Sequence, residues 1–264
     1  MRRLIEFPCA GEMLLGTLDE GNQRTGLLIV SGGNEIRIGA HRGMASLAAR
    51  LAARGFPVFR FDRRGIGDSS GLNGGFESSA PDIAAAAATF CAETGVTRLV
   101  AFGNCDAATA LALFHNAASI DALVLANPWA VEDDGDTLPP AAAIRARYAE
   151  QLRSPREWLR LLRGGVDLGK AVRGLVKAAR SPGIAPDGLT SRLAKALNDV
   201  AIPMTILLAD RDNTAVAFHA AWKTPAFALA RGKAAVAALA SANHSFATAS
   251  DSDWLADQLL KVLK

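Results

Sequence analysis

Short, unbroken apolar runs alternate with alanine-rich amphipathic stretches along most of this chain. Apolar runs of four to eight residues bounded by turn residues mark strands buried on both faces, and a 3.6-residue period marks helices. On that basis strands are expected at residues 25–30, 57–61, 98–102, 122–126, 204–209 and 234–239. Helices are expected at 41–54, 81–94, 107–115, 215–222 and 253–263. Pro81 suits the first turn of its helix, and Asp82 beside it complements the positive end of the helix dipole. Residues 3–7 and 13–18 flank Ala10-Gly11-Glu12 and read as an opening hairpin. Alternation of this kind predicts an α/β protein with a mostly parallel central sheet of about eight strands covered by helices.

The strand signal disappears between Asn127 and Ile202. That stretch is helical in pattern and broken at Pro139-Pro140, Ser154-Pro155, Gly164-Gly165 and Ser181-Pro182-Gly183. It falls between two core strands, so residues 128–201 are expected to form an inserted helical cap. The core is then made of residues 1–127 and 202–264.

Composition sets the class. The 264 residues are long enough for one large α/β domain, and a 50% hydrophobic and 21% charged content is that of a soluble globular enzyme. No apolar stretch is long enough to span a membrane, and the first residues lack the apolar region of a signal peptide. Three cysteines, Cys9, Cys91 and Cys105, show no metal-ligand spacing, so free thiols in a cytoplasmic protein are expected, with no metal and no cofactor. A net charge of +3 gives no reason to expect a nucleic-acid partner. Its distribution is uneven, however. Between Arg145 and Arg180 ten Lys or Arg residues face three acids, a local excess of +7 that leaves the remainder at about −4. With Trp158, Leu159, Leu161 and Leu162 among those cations, peripheral contact of the cap with an anionic membrane or a glycan is an open reading beside plain solvated surface.

The chemistry centres on Gly103-Asn104-Cys105-Asp106-Ala107, between an expected strand and an expected helix. A strand passing through a tight small-residue turn into a helix is the setting of the nucleophile elbow, usually G-x-S-x-G. Here the central residue is a cysteine and the last is alanine. A buried structural cysteine is the alternative reading of such a turn. Two later features favour the nucleophile. The run ending at Ala209 is followed by Asp210-Arg211-Asp212, and the run ending at Leu239 by Ser241-Ala242-Asn243-His244. Nucleophile, acid and histidine thus follow in that chain order, each just beyond a strand's C-terminal end. The imidazole would take the thiol proton and return it to a leaving group, while the carboxylate orients the ring. At Gly32-Gly33-Asn34, after the strand 25–30, a backbone N–H of Gly33 or Asn34 is a candidate oxyanion donor, with the N–H of Asp106 as the second. A plain glycine turn is the other reading there. Gly65-Ile66-Gly67-Asp68-Ser69-Ser70-Gly71 is a poor dinucleotide fingerprint, because its third glycine comes one residue late.

Taken together, the Gly-Gly loop, Phe61-Asp62-Arg63-Arg64-Gly65-Ile66-Gly67-Asp68-Ser69, the cysteine elbow and the late Asp and His resemble the α/β-hydrolase superfamily over essentially the whole chain. The loop from Ser31 to Arg42 and the following Phe59–Ser69 segment are similar to the exosortase A system-associated hydrolase 1 family, found beside exopolysaccharide-export genes. Asn34 and Glu35 depart from that family's loop. The resemblance implies an α/β-hydrolase fold with a triad of Cys105, His244 and Asp212. Superfamily members commonly read G-x-x-D at the acid, which favours Asp212 over Asp210. Arg37, His41 and Trp129 are candidate substrate-binding residues. The leading expectation is a cysteine hydrolase acting on a small-molecule ester or thioester through an acyl-enzyme. Acyl transfer to a sugar or other hydroxyl by the same triad, and a non-catalytic binding or regulatory protein on the same fold, are the alternatives.

Overall fold

A computed structural model of the protein describes residues 1–131 and 188–264. The cationic run 145–180 and most of the expected cap, with the membrane contact drawn from it, lie outside the described residues.

Eight strands form a single sheet in the order β1-β2-β4-β3-β5-β6-β7-β8. The strands are β1 (Arg2–Cys9), β2 (Glu12–Asp19), β3 (Thr25–Val30), β4 (Val58–Phe61), β5 (Arg98–Asn104), β6 (Ala122–Ala126), β7 (Met204–Ala209) and β8 (Ala235–Leu239). The opening hairpin β1–β2 and the β2–β4 pair are antiparallel, and every pair from β4 through β8 is parallel. All residues of β4 and β6, and all but the first of β3, are buried, which is why these segments read as apolar runs, broken in β4 only by the buried Arg60.

Helices α1 (Gly43–Ala52), α2 (Ala80–Thr94), α3 (Asp106–Phe114), α4 (Leu189–Asp199), α5 (Asn213–Trp222), α6 (Ala228–Lys233) and α7 (Ala249–Leu263) divide between the two faces. On one face α1 and α7 press Met44, Leu47, Leu51, Leu255 and Leu259 against Leu27, Ile29, Val100 and Val124. On the other, Phe90 of α2, Leu111 of α3, Leu193 and Leu197 of α4, and Phe218 of α5 pack on Leu28, Phe59, Leu123 and Leu125. The predicted elements agree with these to within a few residues. Helix α4, which falls inside the expected insertion 128–201, packs on the core through Leu189, Leu193, Ala194 and Leu197. Helix α6 was not expected, being six residues long and following directly on the turn at Pro225.

Because β3, β5, β6, β7 and β8 all run in one direction, their C-terminal ends share one edge of the sheet. In open α/β sheets this is the edge where ligands bind. Cys105, Asn127, Asp210-Arg211-Asp212 and the loop carrying His244 all emerge there. No helix among the described residues is long and apolar enough to cross a membrane.

Candidate active site

Cys105 is the single residue between β5 and α3. Its backbone has φ 63° and ψ −128°, a region that side-chain-bearing residues rarely enter. Strain of this type costs of order 1–3 kcal/mol and persists only where surrounding bonds enforce it. They do so here. The Cys105 N–H donates to Ala126 O at 3.0 Å, and its carbonyl accepts from the N–H groups of Ala108, Thr109 and Trp129 at 3.1, 3.3 and 3.2 Å. Gly103 makes the turn possible, since a Cβ there would lie 2.7 Å from Ala107 C and 2.9 Å from Ala108 N, both backbone atoms. Gly103→Ala is therefore expected to destabilise the protein by about 1–3 kcal/mol, the usual range for overpacking, read as a lower urea midpoint with an unchanged slope.

The acid and histidine meet as the strand topology brings them together. His244 Nδ1 lies 2.9 Å from Asp212 Oδ2. Asp212 is nearly buried and caps α5, the same oxygen accepting from Thr214 N and Ala215 N at 3.1 Å each. Its position is thus fixed by a helix start, where Asp is among the preferred capping residues. The hydrogen bond to Asp212 pushes His244 up to about 10, with a further contribution from Cys105 against the partial burial of the ring. Asp210, the competing acid, is exposed, and its N–H serves the sheet edge by donating to Leu239 O at 2.9 Å.

The other two thiols sit in different surroundings. Burial, followed by the hydrogen bond to Asp82, pushes Cys9 up to about 11, and burial also raises Cys91.

At the Gly-rich loop the Gly33 N–H is already engaged, donating to Asp106 Oδ1 at 2.6 Å, while the Gly33 carbonyl accepts from the buried Arg63 guanidinium. A Cβ at Gly32 would meet Asn104 O at 2.6 Å and Asp106 Oδ1 at 2.7 Å, so the loop reaches the elbow only with glycine there. Among the described residues the N–H groups of Asn34 and Asp106 carry no intramolecular hydrogen bond.

Arg37, expected at the substrate, is turned into the protein instead. Only 8% exposed, it pairs with Asp62 and Asp68 and donates to Thr17 Oγ1 at 3.0 Å, and its carbonyl accepts from Arg60 Nη1 at 2.8 Å. Its charge is spent bracing the loop after β3 against β2 and β4. His41 is exposed, at φ 53°, in the short turn before α1. Trp129 is half-buried beside the elbow, its N–H bonded to Cys105 and its carbonyl to Thr109 Oγ1 at 2.7 Å. Two residues had passed unnoticed in the sequence, Asn104 and Asn127, whose side chains both reach the His244 carbonyl. Polar residues at strand ends look like ordinary loop starts, so nothing in the pattern marked them. No group of three or more His, Cys, Asp or Glu gathers as a metal site among the described residues.

Residues 21–171, more than half of the chain, match the family model described as serine aminopeptidase, S33. The chain belongs to that hydrolase family. No curated protein matches it. Solved structures share its fold at low identity. The thioesterase domain from the curacin biosynthetic pathway is 15% identical with a TM-score of 0.62, covering 98% of this chain and 99% of that one. The Pyrococcus furiosus esterase Pf2001 is 16% identical with a TM-score of 0.66, over 100% and 90%. The esterase RhEst1 from Rhodococcus sp. ECU1013 is 18% identical with a TM-score of 0.61, over 98% of both. The α/β-hydrolase fold and a hydrolase of this family are therefore the identity of the chain.

Proposed function

We propose that the protein cleaves a small-molecule ester or thioester with Cys105 as nucleophile, His244 as proton carrier and Asp212 as the carboxylate that orients and charges the ring. The observation that carries this reading is the strained Cys105 elbow beside a histidine bonded to a buried carboxylate. The thioesterase and esterase named above, sharing the fold, support the substrate class.

In the reaction the thiol proton passes to His244 and Sγ forms a bond to the substrate carbonyl carbon. The carbonyl π electrons move onto oxygen, which the Asp106 N–H at the start of α3 and the Asn34 N–H are best placed to receive. Gly33 joins them only when the Asp106 carboxylate releases its N–H. Collapse of the tetrahedral intermediate breaks the bond to the alcohol or thiol, which leaves with the proton from His244. Water then adds to the acyl-enzyme thioester, giving a proton to His244. Sγ departs, regains that proton, and the carboxylic acid is released. A sugar or other hydroxyl in place of that water makes the same site an acyltransferase. Trp129 beside the elbow and His41 at the loop rim are the assigned substrate contacts.

The resemblance of the Ser31–Arg42 loop to exosortase-associated hydrolases supports a role beside exopolysaccharide export, and three free cysteines support a cytoplasmic location. The basic segment 145–180 supports, by charge alone, contact with an anionic surface. Hydrolysis of p-nitrophenyl and acyl-thioester substrates of short and long chain, with and without a sugar acceptor, tests the substrate class.

The nucleophile has a direct chemical test. Brief iodoacetamide treatment of the folded protein near neutral pH, followed by mass spectrometry, is expected to modify Cys105 well before Cys9 and Cys91. The thiolate is the reactive form, and burial opposes it at both other cysteines. Equal labelling of all three, or Cys105 last, removes the thiol mechanism.

A further inference from the structure

Asn127 directly follows β6 and has no solvent exposure, yet its backbone takes φ 41° and its side chain spends every polar atom on a different neighbour. Its Oδ1 accepts from Ala209 N at 2.8 Å, at the end of β7, three residues before Asp212. Its Nδ2 donates to Asn104 Oδ1 at 3.1 Å and to His244 O at 3.2 Å. Its own N–H donates to Leu207 O at 2.9 Å. Asn104, directly before Cys105, completes the arrangement by donating from Nδ2 to the same His244 carbonyl at 3.1 Å. One buried amide thus touches the nucleophile's strand, the acid's strand and the histidine's loop. The residue immediately ahead of the nucleophile supplies the second tie.

We infer that Asn127, together with Asn104, is a positioning residue that fixes the backbone of His244 so that its ring lies between Asp212 and Cys105. This rests on the triad reading above. The physical need is plain. His244 sits on a loop, half exposed, and its ring must serve Asp212 from one side and Cys105 from the other through both halves of the reaction. A carbonyl that accepts two side-chain hydrogen bonds from two adjacent strands cannot swing without stranding both donors. An unsatisfied buried polar group costs about 1–3 kcal/mol. That penalty pins the loop, and the positive φ of Asn127 is tolerable because asparagine enters the left-handed region more readily than most residues. The bond to Ala209 carries the same restraint to the segment leading into Asp212.

The test compares Asn127→Ala and Asn104→Ala with wild type and with His244→Ala. A displacement of about 1 Å at a reacting group costs on the order of 10²-fold in rate. Asn127→Ala is expected to approach that loss in kcat, and Asn104→Ala, which keeps the Asn127–Ala209 bond, to lose about 10-fold, a tenth of that figure. In both, KM stays within about two-fold, and iodoacetamide labelling of Cys105 slows in step with kcat. The double variants His244→Ala/Asn104→Ala and His244→Ala/Asn127→Ala should be no slower than His244→Ala alone, because residues acting through one group are non-additive. Should Asn127→Ala fail to fold, Asn104→Ala, at the rim of the network, carries the test. Wild-type kcat in the asparagine variants, or a further loss in the His244→Ala background, overturns the inference. If His244→Ala itself keeps full activity, the triad reading fails first, and the two failures are told apart by that single control.

Discussion

Asp212→Ala is expected to lower turnover by about 10⁴-fold, the scale on which a triad carboxylate acts, while Asp210→Ala is expected to stay within a few-fold of wild type. The contrast follows from their surroundings. Asp212 is buried and is the largest influence raising His244 to about 10, whereas Asp210 is exposed and contributes its backbone to the sheet edge. Part of the Asp212→Ala loss is structural, because the alanine also removes the cap of α5 at a cost of about 1 kcal/mol. Asp212→Asn separates the two roles. Its amide oxygen retains the cap, so the helix holds, but the negative charge that sustains the imidazolium is gone. The His244 ring signal followed by NMR should then titrate far below 10 in Asp212→Asn. In the wild type the raised value ties stability to pH. The pairing contributes fully below about pH 6.5 and is lost as pH rises through about 10. Full activity in Asp212→Ala with collapse in Asp210→Ala would reassign the acid.

What the sequence made legible was whatever repeats along the chain or sits at a chain-local turn. Strands β3, β6 and β7 are read correctly because both faces are covered and all positions but Thr25 and Thr205 are buried and apolar or glycine. The proposed triad of Cys105, Asp212 and His244 is legible because each lies one to five residues beyond a strand, and parallel topology carries all those ends to one edge. Helix α4 is harder to see, since a strongly basic stretch precedes it and its four buried positions are the only sign of the face it gives to the core.

Contacts between distant segments left no local trace. The Gly33 N–H is taken by Asp106, 73 residues away, and only the elbow geometry brings that carboxylate to the loop. Arg37 lies just after a glycine-rich turn, where a substrate could meet it, but Asp62 at the start of the next loop claims it, and an arginine so enclosed needs such a partner for its charge. The same holds for Asn104 and Asn127. Their role depends on three strands ending level with one another, a property of register that no single segment contains.

Cys105→Ala is expected to remove about 10⁶-fold of turnover, as loss of the nucleophile does in a triad that acts as a unit, and to leave the fold intact because alanine is smaller than cysteine at a half-buried turn. The residue that discriminates the mechanism is serine. Cys105→Ser keeps the elbow and a nucleophilic atom, yet a hydroxyl needs a neutral imidazole to take its proton. The hydrogen bond to Asp212 raises His244 and so favours the protonated ring. A thiol can pass its proton to form an ion pair with that ring, and a hydroxyl cannot. The serine variant is therefore expected to be poorly active near pH 7 and to gain activity as pH rises towards 10, by a larger factor than the wild type, in which only deacylation calls on a neutral ring. Initial rates with a neutral p-nitrophenyl ester, corrected for spontaneous hydrolysis, measure both curves. Undiminished activity of Cys105→Ala defeats the thiol mechanism outright. A serine variant as active as wild type near pH 7 would mean that His244 is neutral there, leaving the triad standing.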